Sequence, residues 1–452
     1  MRNHWMVVIA ALQVGAAVPA SARQEPAEPA AQQAGPDLEY LRRLGDSTLT
    51  RLIDEALRAN LDVQVAEARV RSARAARSGA KWELLPQGGV SGSYTRRRFA
   101  GGAFPGVQGR LPDENLWDVG ADAAWELDVF GRLRSNVRAQ GALVESSEAD
   151  RRAVQVAIAA EVARAYFDLR GAQEQLEVAR RNSANQQRTL DLTRERLDAG
   201  RGTAFDTERA TAQLAATRAS IPLVTALAAA ATHRIGVLLG RAPTALASEL
   251  AAIAALPAFP DSMDVGDVEA IAQARPDVQA AERFAAAQSA FVGAAKAEFF
   301  PRLTIGATAG LLATDPSGLG DEGSFRYAVG PVLSWPLLSF GRIQASVSQA
   351  RASEDAARVE QRQAVLAALE DVQNALTRYH AARARAVELE ASSGASRNAA
   401  ELARMRYTEG IADFLQVLDA ERTQLESERL LALGRTEVAT AYTGLYKAIG
   451  GR

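Results

Sequence analysis

The chain of 452 residues has no cysteine. That excludes disulfides and thiolate metal sites, and no lipid anchor on an N-terminal Cys is expected. Histidine is nearly as scarce. His4, His233 and His380 lie far apart, and no H-x-x-x-H or H-E-x-x-H pattern joins them. Lysine is confined to Lys81, Lys296 and Lys447, the remaining basic residues being arginines, and the net charge is −2. Such a balance offers nucleic acid no basic surface. There is no phosphate-cradling glycine loop and no G-x-S-x-G motif. Gly88-Gly89 and Gly101-Gly102 fall in strand or loop contexts. The expectation is a protein that is not an enzyme, with no cofactor and no metal. After the N-terminus no transmembrane helix is apparent.

Proline is missing where its absence matters most. From Arg132 to Ala199 there is none, and the only internal glycines are Gly141 and Gly171. Ile158, Val162, Ala165, Leu169, Ala172, Leu176 and Ala179 recur at alternating steps of four and three. This is a heptad-like stripe, predicting a helix over 132–199 of roughly 100 Å that needs partners along its length. A second such helix is predicted over 342–409.

The N-terminus reads as a leader. Arg2 precedes an apolar run from Met6 to Val18, and Ala20-Ser21-Ala22 supplies a small-residue cleavage site. Residues 1–22 are therefore expected to be a signal peptide. Residues 23–46, which begin rich in Ala, Gln, Glu and Pro, are expected to be a flexible lead-in.

The remainder of the chain is a tandem repeat. Ser47 to Asn60 reads as a capped helix with Ser47 or Thr48 near its start. Asn60-Leu61-Asp62-Val63-Gln64 opens another helix that Pro86 stops, and Arg275-Pro276-Asp277-Val278-Gln279 opens one that Pro301 stops. The offsets agree, since 277 − 62 = 215 and 301 − 86 = 215. Trp125-Glu126-Leu127-Asp128-Val129-Phe130-Gly131-Arg132 then matches Trp335-Pro336-Leu337-Leu338-Ser339-Phe340-Gly341-Arg342, with 335 − 125 = 210. The same 210 separates Gly200 from Gly410 and Gly240 from Gly450. Only the segment between Pro86 and Trp125 changes length, as a tandem duplication differing in one surface loop would. The expected domains are repeat one over 47–240 and repeat two over 267–452, joined by a linker or equatorial segment, 241–266. Repeat one holds a hairpin at about 88–129, the long helix 132–199 and a return helix 203–240. Repeat two holds helix 276–299, a hairpin at about 302–338, the long helix 342–409 and a return helix 412–449.

The hairpins carry a period of two. Trp117, Val119, Ala121, Ala123, Trp125, Leu127 and Val129 alternate with Asp118, Gly120, Asp122, Ala124, Glu126 and Asp128. Leu303 to Leu311 and Phe325 to Leu337 alternate likewise, and residues 88–96 do so more weakly, with Val90 and Tyr94 on one face. Each strand has roughly ten residues, long enough to cross a bilayer when tilted. On pattern alone, a soluble sheet packed on a helix fits as well. The balance is tipped by an exported chain whose neighbouring helices are too long to fold back over a short hairpin. Trp117, Trp125, Tyr94, Tyr327 and Trp335 then form a membrane girdle, and Asp118, Asp122, Glu126 and Asp128 face a wet lumen, favouring cations. Four strands cannot close a barrel, and an open edge in lipid is not viable, so several copies must pool their strands. The Gly/Pro/Asp-rich loops 99–115 and 313–324 close the hairpins.

The leader, the duplicated helix–hairpin–long helix units, W-E-L-D-V-F-G-R and the stretch Arg406 to Ala420 (R-Y-T-E-G-I-A-D-F-L-Q-V-L-D-A) together resemble the TolC/OprM outer membrane factor family. The resemblance extends to its NodT-like branch, whose efflux channels carry W-E-x-D-x-F-G-R, and covers about Ser47 to Gly450. It implies a mainly α-helical homotrimer with transmembrane β structure. Each protomer would give four strands to a twelve-stranded outer membrane β-barrel and long helices to a periplasmic α-barrel. It implies a passive conduit for drugs or other toxic small molecules, seated in outer membrane lipid and extending into the periplasm. The implied partners are a periplasmic adaptor and an inner-membrane efflux pump of the RND type. Type I protein secretion and metal efflux are the alternatives within the family. A non-conducting periplasmic coiled-coil protein is the alternative outside it.

The resemblance also places a periplasmic gate. Asp419 matches an acidic ring position, Tyr407 a network holding the inner helix pair, and Asp206 an acidic position on the first-copy helix. Gln416 stands where the family has a second acidic residue, and Ala412 replaces an arginine. Gly200, Gly202 and Gly410 form the tip turns, expected to cap the helices and to face the adaptor.

Overall fold

In a computed structural model, the protein is described over residues 37–100, 109, 111–261, 263 and 265–451. The leader expected at 1–22 lies outside these residues. The chain is mainly helical with one small sheet. A single helical turn, Glu39–Arg42, precedes α1 (Ser47–Ala59) and α2 (Leu61–Trp82). The strands β1 (Gln87–Arg97) and β2 (Glu114–Leu127) lead to α3 (Arg132–Asp198) and α4 (Ala204–Leu238). After the inter-repeat segment come α5 (Val268–Ala274), α6 (Pro276–Ala297), β3 (Arg302–Ala313), β4 (Phe325–Ser334), α7 (Phe340–Thr408) and α8 (Phe414–Ala448).

Two compact units are distinguishable. The first, in Ser72–Val144 and Arg283–Arg358, contains the sheet. Its order is β1-β2-β3-β4, every neighbouring pair antiparallel, so one edge of β1 and one of β4 lack a partner strand among the described residues. The register keeps the two faces distinct. Tyr94 pairs with Trp117, Val90 with Ala121, Trp125 with Ile305, and Ile305 with Pro331. Directly paired residues share a face, so the apolar sides of all four strands combine into one surface. Val90, Tyr327 and Val329 on it are 77%, 74% and 70% exposed. The opposite face carries Gly89, Ser91, Asp118, Gly120, Asp122, Thr308 and Gly310, interrupted by Leu116, Leu312 and Val332.

Each hairpin is fastened the same way. The indole of Trp125 donates to the Leu84 carbonyl at 2.9 Å, and that of Trp335 to the Phe299 carbonyl at 3.1 Å. Both carbonyls lie just past the end of the preceding helix, where intrahelical donors run out. Phe130 stacks on Phe300 at 4.6 Å. Two tryptophans expected at the lipid interface thus also lock helix to strand.

The second unit, in Gly35–Arg71, Glu145–Glu282 and Val359–Arg452, holds the largest core. All seven residues of the 158–179 stripe are buried in it or beside it. Two expectations need correcting, and a third gains its cap. The lead-in 23–46 is not flexible throughout: Leu38, Tyr40 and Leu41 are buried, and Tyr40 stacks on Tyr442 at 4.4 Å. An aromatic clasp of this kind fixes a segment that composition alone leaves loose. α1 begins at Ser47 as expected, and its cap is Asp46, whose carboxylate accepts from Leu49 N at 3.0 Å. And α4 is, by length and composition alone, apolar enough to cross a membrane. It lies instead along α3, with Arg218 donating to Gln187 at 2.9 Å and Arg234 paired with Glu161.

The 241–266 segment is more than a tether. Leu246 and Leu250 are buried, Arg170 donates to Ala252 O at 2.7 Å, and Gln173 donates to Leu250 O at 2.8 Å. The repeat closes symmetrically on α4 and α8. Asn60 donates to Leu238 O at 2.8 Å, and Arg275 donates to Ala448 O at 3.1 Å. Gly240 and Gly450 follow these ends at φ +67° and +79°, a conformation that costs a residue with Cβ.

Candidate functional site: the helix tips and the buried ladder

The long helices end in matching turns. Gly200 and Gly410 adopt φ +68° and +79°. Gly200 N donates to Leu197 O and Arg201 N to Arg196 O; 210 residues later Gly410 N donates to Tyr407 O and Ile411 N to Arg406 O. Both are Schellman-type caps that need glycine for the left-handed residue. Gly202 is required for closeness instead: a Cβ there would lie 3.0 Å from Leu197 N.

The return helices begin with matching caps. Thr203 Oγ1 accepts from Asp206 N at 3.2 Å and itself donates to the Asp206 carboxylate at 2.7 Å. Asp413 accepts from Gln416 N at 3.0 Å. Asp206 and Gln416, singled out as gate positions, are therefore the third residues of equivalent helices, where an acidic or amide side chain serves the cap. Asp413 is a cap too.

Tyr407 is buried in a small core with Leu190, Ala210, Leu214, Phe414, Val417 and Leu418. Above its ring, 4.0 Å from the centroid, lies the guanidinium of Arg196. The same arginine donates to Tyr407 O and, at 3.0 Å, to Thr408 O. It thus holds the negative end of α7 from the last turn of α3 and adds a cation–π contact. Burial raises the Tyr407 hydroxyl above its ordinary pKa against the pull of Arg196, and nearby Asp206 pushes the same way. Tyr407 and Asp206 are accordingly brought together. Asp419 is not: it is exposed on α8, with no side-chain partner among the described residues.

Arg196 escapes a reading by motif. So does a buried polar ladder below it. Glu421 and Glu428, each 3% exposed, occupy the heptad face that Phe414, Val417 and Leu418 begin. Thr189 donates to Glu421 at 2.6 Å, Arg404 to Glu421 at 2.9 Å and to Gln424 at 2.8 Å. Glu428 accepts from Asn182 at 2.8 Å, from Gln424 at 3.1 Å and from Arg397 at 3.2 Å. Burial alone would raise the Glu428 pKa, but these donors and the charge of Arg181 hold it below the usual carboxylate value. A cleft of about 180 Å³ between Asn185, Thr189, Arg404 and Tyr407 opens beside the ladder. The sequence signal was present: polar residues at 421, 424, 427 and 428 interrupt an apolar stripe. An unsatisfied carboxylate could not be kept there, so partners on α3 and α7 are implied.

Three of the four acidic residues expected to line a lumen are neutralised. Asp118 accepts two bonds from Arg326 at 2.6 and 2.8 Å. Glu126 accepts from Arg132 at 2.8 and 3.1 Å. Asp128 caps α3, accepting from Leu133 N at 3.1 Å and Arg134 N at 2.9 Å. Asp122 alone has no side-chain partner among the described residues. Of the residues expected to form a membrane girdle, Tyr94, Trp117, Trp125 and Tyr327 share the apolar face, Tyr94 and Trp117 with ring centroids 4.6 Å apart, and Trp335 follows the end of β4.

Comparison with known proteins gives this arrangement its family. The model of the family described as "Outer membrane efflux protein" matches residues 52–241 and 268–451, the two repeats. Outer membrane protein OprJ of Pseudomonas aeruginosa is 30% identical, over 98% of this chain and 95% of its own length. Nodulation protein T of Rhizobium leguminosarum bv. trifolii is 28% identical, over 90% of this chain and 86% of its own. The solved structure of the outer-membrane channel OprN superposes with a TM-score of 0.86 at 39% identity, covering 91% of this chain and 92% of that one. The chain belongs to the outer membrane efflux protein family, in its NodT-like branch, and is an efflux channel of the outer membrane.

Proposed function

We propose that three copies pool their sheets into one closed, twelve-stranded barrel and their long and return helices into a periplasmic tube. The assembly is a passive conduit for drugs or other toxic small molecules. An inner-membrane pump of the RND type delivers them through a periplasmic adaptor that meets the tip turns at Gly200, Gly202 and Gly410. On this reading the repeats run over 47–240 and 267–452, residues 1–22 are a cleaved leader, and 241–266 forms an equatorial segment.

One observation carries the proposal: the register gathers every strand's apolar side onto one face while leaving two edges unpaired. A face of exposed Val, Tyr and Phe has lipid as its natural cover, and backbone groups in lipid must be paired. With four strands from each copy, closure by three puts every edge against a neighbour. A soluble coiled-coil protein leaves both features without a purpose.

The gate belongs at the tips. Tyr407, held by Arg196, fixes one helix junction, and Asp419, free on each copy, contributes to an acidic ring. Gln416 and Asp206 shape the caps beside it. Fractionation tests the whole reading. Heat-resistant trimers in the outer membrane are the expected result, and soluble periplasmic protein would overturn it.

A further inference from the structure

We infer that Arg406 joins neighbouring copies at the tip, its guanidinium donating to the carbonyls of Leu197 and Asp198 on the next copy. The inference rests on the trimeric reading above and comes from the repeat. Arg196 of repeat one holds the carbonyls of Tyr407 and Thr408 at the end of the repeat-two long helix. Adding 210 to each number turns Arg196 into Arg406, and subtracting 210 turns Tyr407 and Thr408 into Leu197 and Asp198. The four positions occupy equivalent places in two equivalent helix ends, with the same capping bonds around Gly200 and Gly410.

Within one chain only half of this arrangement is present. Arg406 is exposed and has no side-chain partner among the described residues, and no side chain among them holds the Leu197 and Asp198 carbonyls. A ring in which repeats alternate demands the other half. Repeat one reaches repeat two within the chain, and repeat two must reach repeat one of the next.

The helices below the tip agree. α3 packs tightly on α8: a Cβ on Gly171 would lie 2.0 Å from Thr436 Oγ1, and Asn182 and Thr189 reach Glu428 and Glu421. The equivalent pair is α7 with α4, and these helices present Leu402, Val387, Leu223 and Leu227 largely to solvent, at 56%, 59%, 65% and 52% exposure. These surfaces await a second copy.

The two junctions are not identical. Tyr407 gives Arg196 an aromatic ring to lie on; its counterpart under Arg406 is Leu197, which offers no cation–π contact. The junction between copies is thus the weaker of the two, and the tip parts there first when it opens.

The absence of cysteine makes the test clean. Two double variants are made, Arg406→Cys with Asp198→Cys and Arg196→Cys with Thr408→Cys. Each is confirmed as an oligomer by sedimentation in detergent, treated with a short bis-maleimide, and run on denaturing gels. The first pair is expected to give covalently linked dimers and trimers, the second to take up the reagent within one chain and run as a monomer. Arg406→Cys with Ala199→Cys repeats the first arm on a neighbouring residue. Unlinked chains from both Arg406 pairs in a protein that sediments as a trimer would overturn the junction and leave the channel standing. A protein that sediments as a monomer would overturn both.

Discussion

The two return helices have the same length, 35 residues, and equivalent caps, yet α8 buries 17 of its residues within the chain and α4 only seven. α8 is inlaid between α3 and α7; α4 meets α3, lends Ala210 and Leu214 to the core around Tyr407 and closes on Asn60 at its end, but leaves most of its residues uncovered within the chain. The duplicated helices have therefore diverged according to what covers them. α8 can carry Glu421, Gln424 and Glu428 inside because its neighbours are fixed by the same chain and supply donors. α4, whose counterparts at those positions are Thr211, Leu214 and Arg218, keeps an apolar exposed side. That side lets α4 pass for a membrane span by composition.

Breaking the inner side of this comparison has the largest effect. Gly171→Val drives a branched side chain into Thr436 and is expected to lower stability by about 3 kcal/mol, read by thermal unfolding in detergent. Ala381, its equivalent in repeat two, is exposed within the chain, and Ala381→Val adds two carbons rather than a whole branched side chain, so it should cost less, about 1 kcal/mol, even with a second copy beside it. Similar losses would show that the repeats are packed alike.

Glu421→Ala comes next. It leaves Thr189 and a partly buried Arg404 without their acceptor and is expected to cost about 2 kcal/mol in the same assay. Thr211→Ala at the counterpart should change stability by no more than about 0.5 kcal/mol.

The ladder also sets a pH dependence. The folded pKa of Glu428 lies below its ordinary 4.5, so its contribution is complete above that value. It is lost as pH falls through the depressed folded value. Melting temperature should therefore drop on acidification below about pH 4.5, and Glu428→Gln, weaker at neutral pH, should show a smaller drop. An identical drop in both proteins would assign the acid response elsewhere.

Smaller effects on stability are expected at the tip, where conductance is the sensitive readout. Arg196→Ala and Asp419→Ala should each raise single-channel conductance or cation leak, the first by freeing the end of α7 and the second by thinning the acidic ring. Unchanged conductance in both would place closure away from these residues. Smallest of all is the change in lumen selectivity. Asp122→Asn should shift the reversal potential under a salt gradient away from cation preference. Asp118→Asn, which removes a carboxylate already paired with Arg326, should shift it less.

Much of the fold was legible because it is periodic. The stripe from Ile158 to Ala179 and the alternation from Trp117 to Val129 each reflect which side of an element must be dry. The duplication was legible because 210 and 215 recur at glycines, prolines and tryptophans that tolerate little change. What escaped depends on contacts far apart in sequence. Nothing near Arg196 announces that it will hold Tyr407 and Thr408, and nothing near Glu428 names Asn182. Tyr40 lies in a stretch of loose composition and stacks on Tyr442 and packs against Tyr446, 402 and 406 positions away. The partners of the acidic residues expected to line a lumen escaped for the same reason. Arg326 lies two strands from Asp118, and pairing them requires the register.

The central claim is that identical chains close their sheets around a passage. Recording from purified protein in a planar bilayer tests it most directly. Discrete conductance steps of uniform size, carried by the oligomer and absent after heat dissociation, are expected. An oligomer that inserts into the bilayer and passes no ions, even with Arg196 and Asp419 replaced, would contradict it.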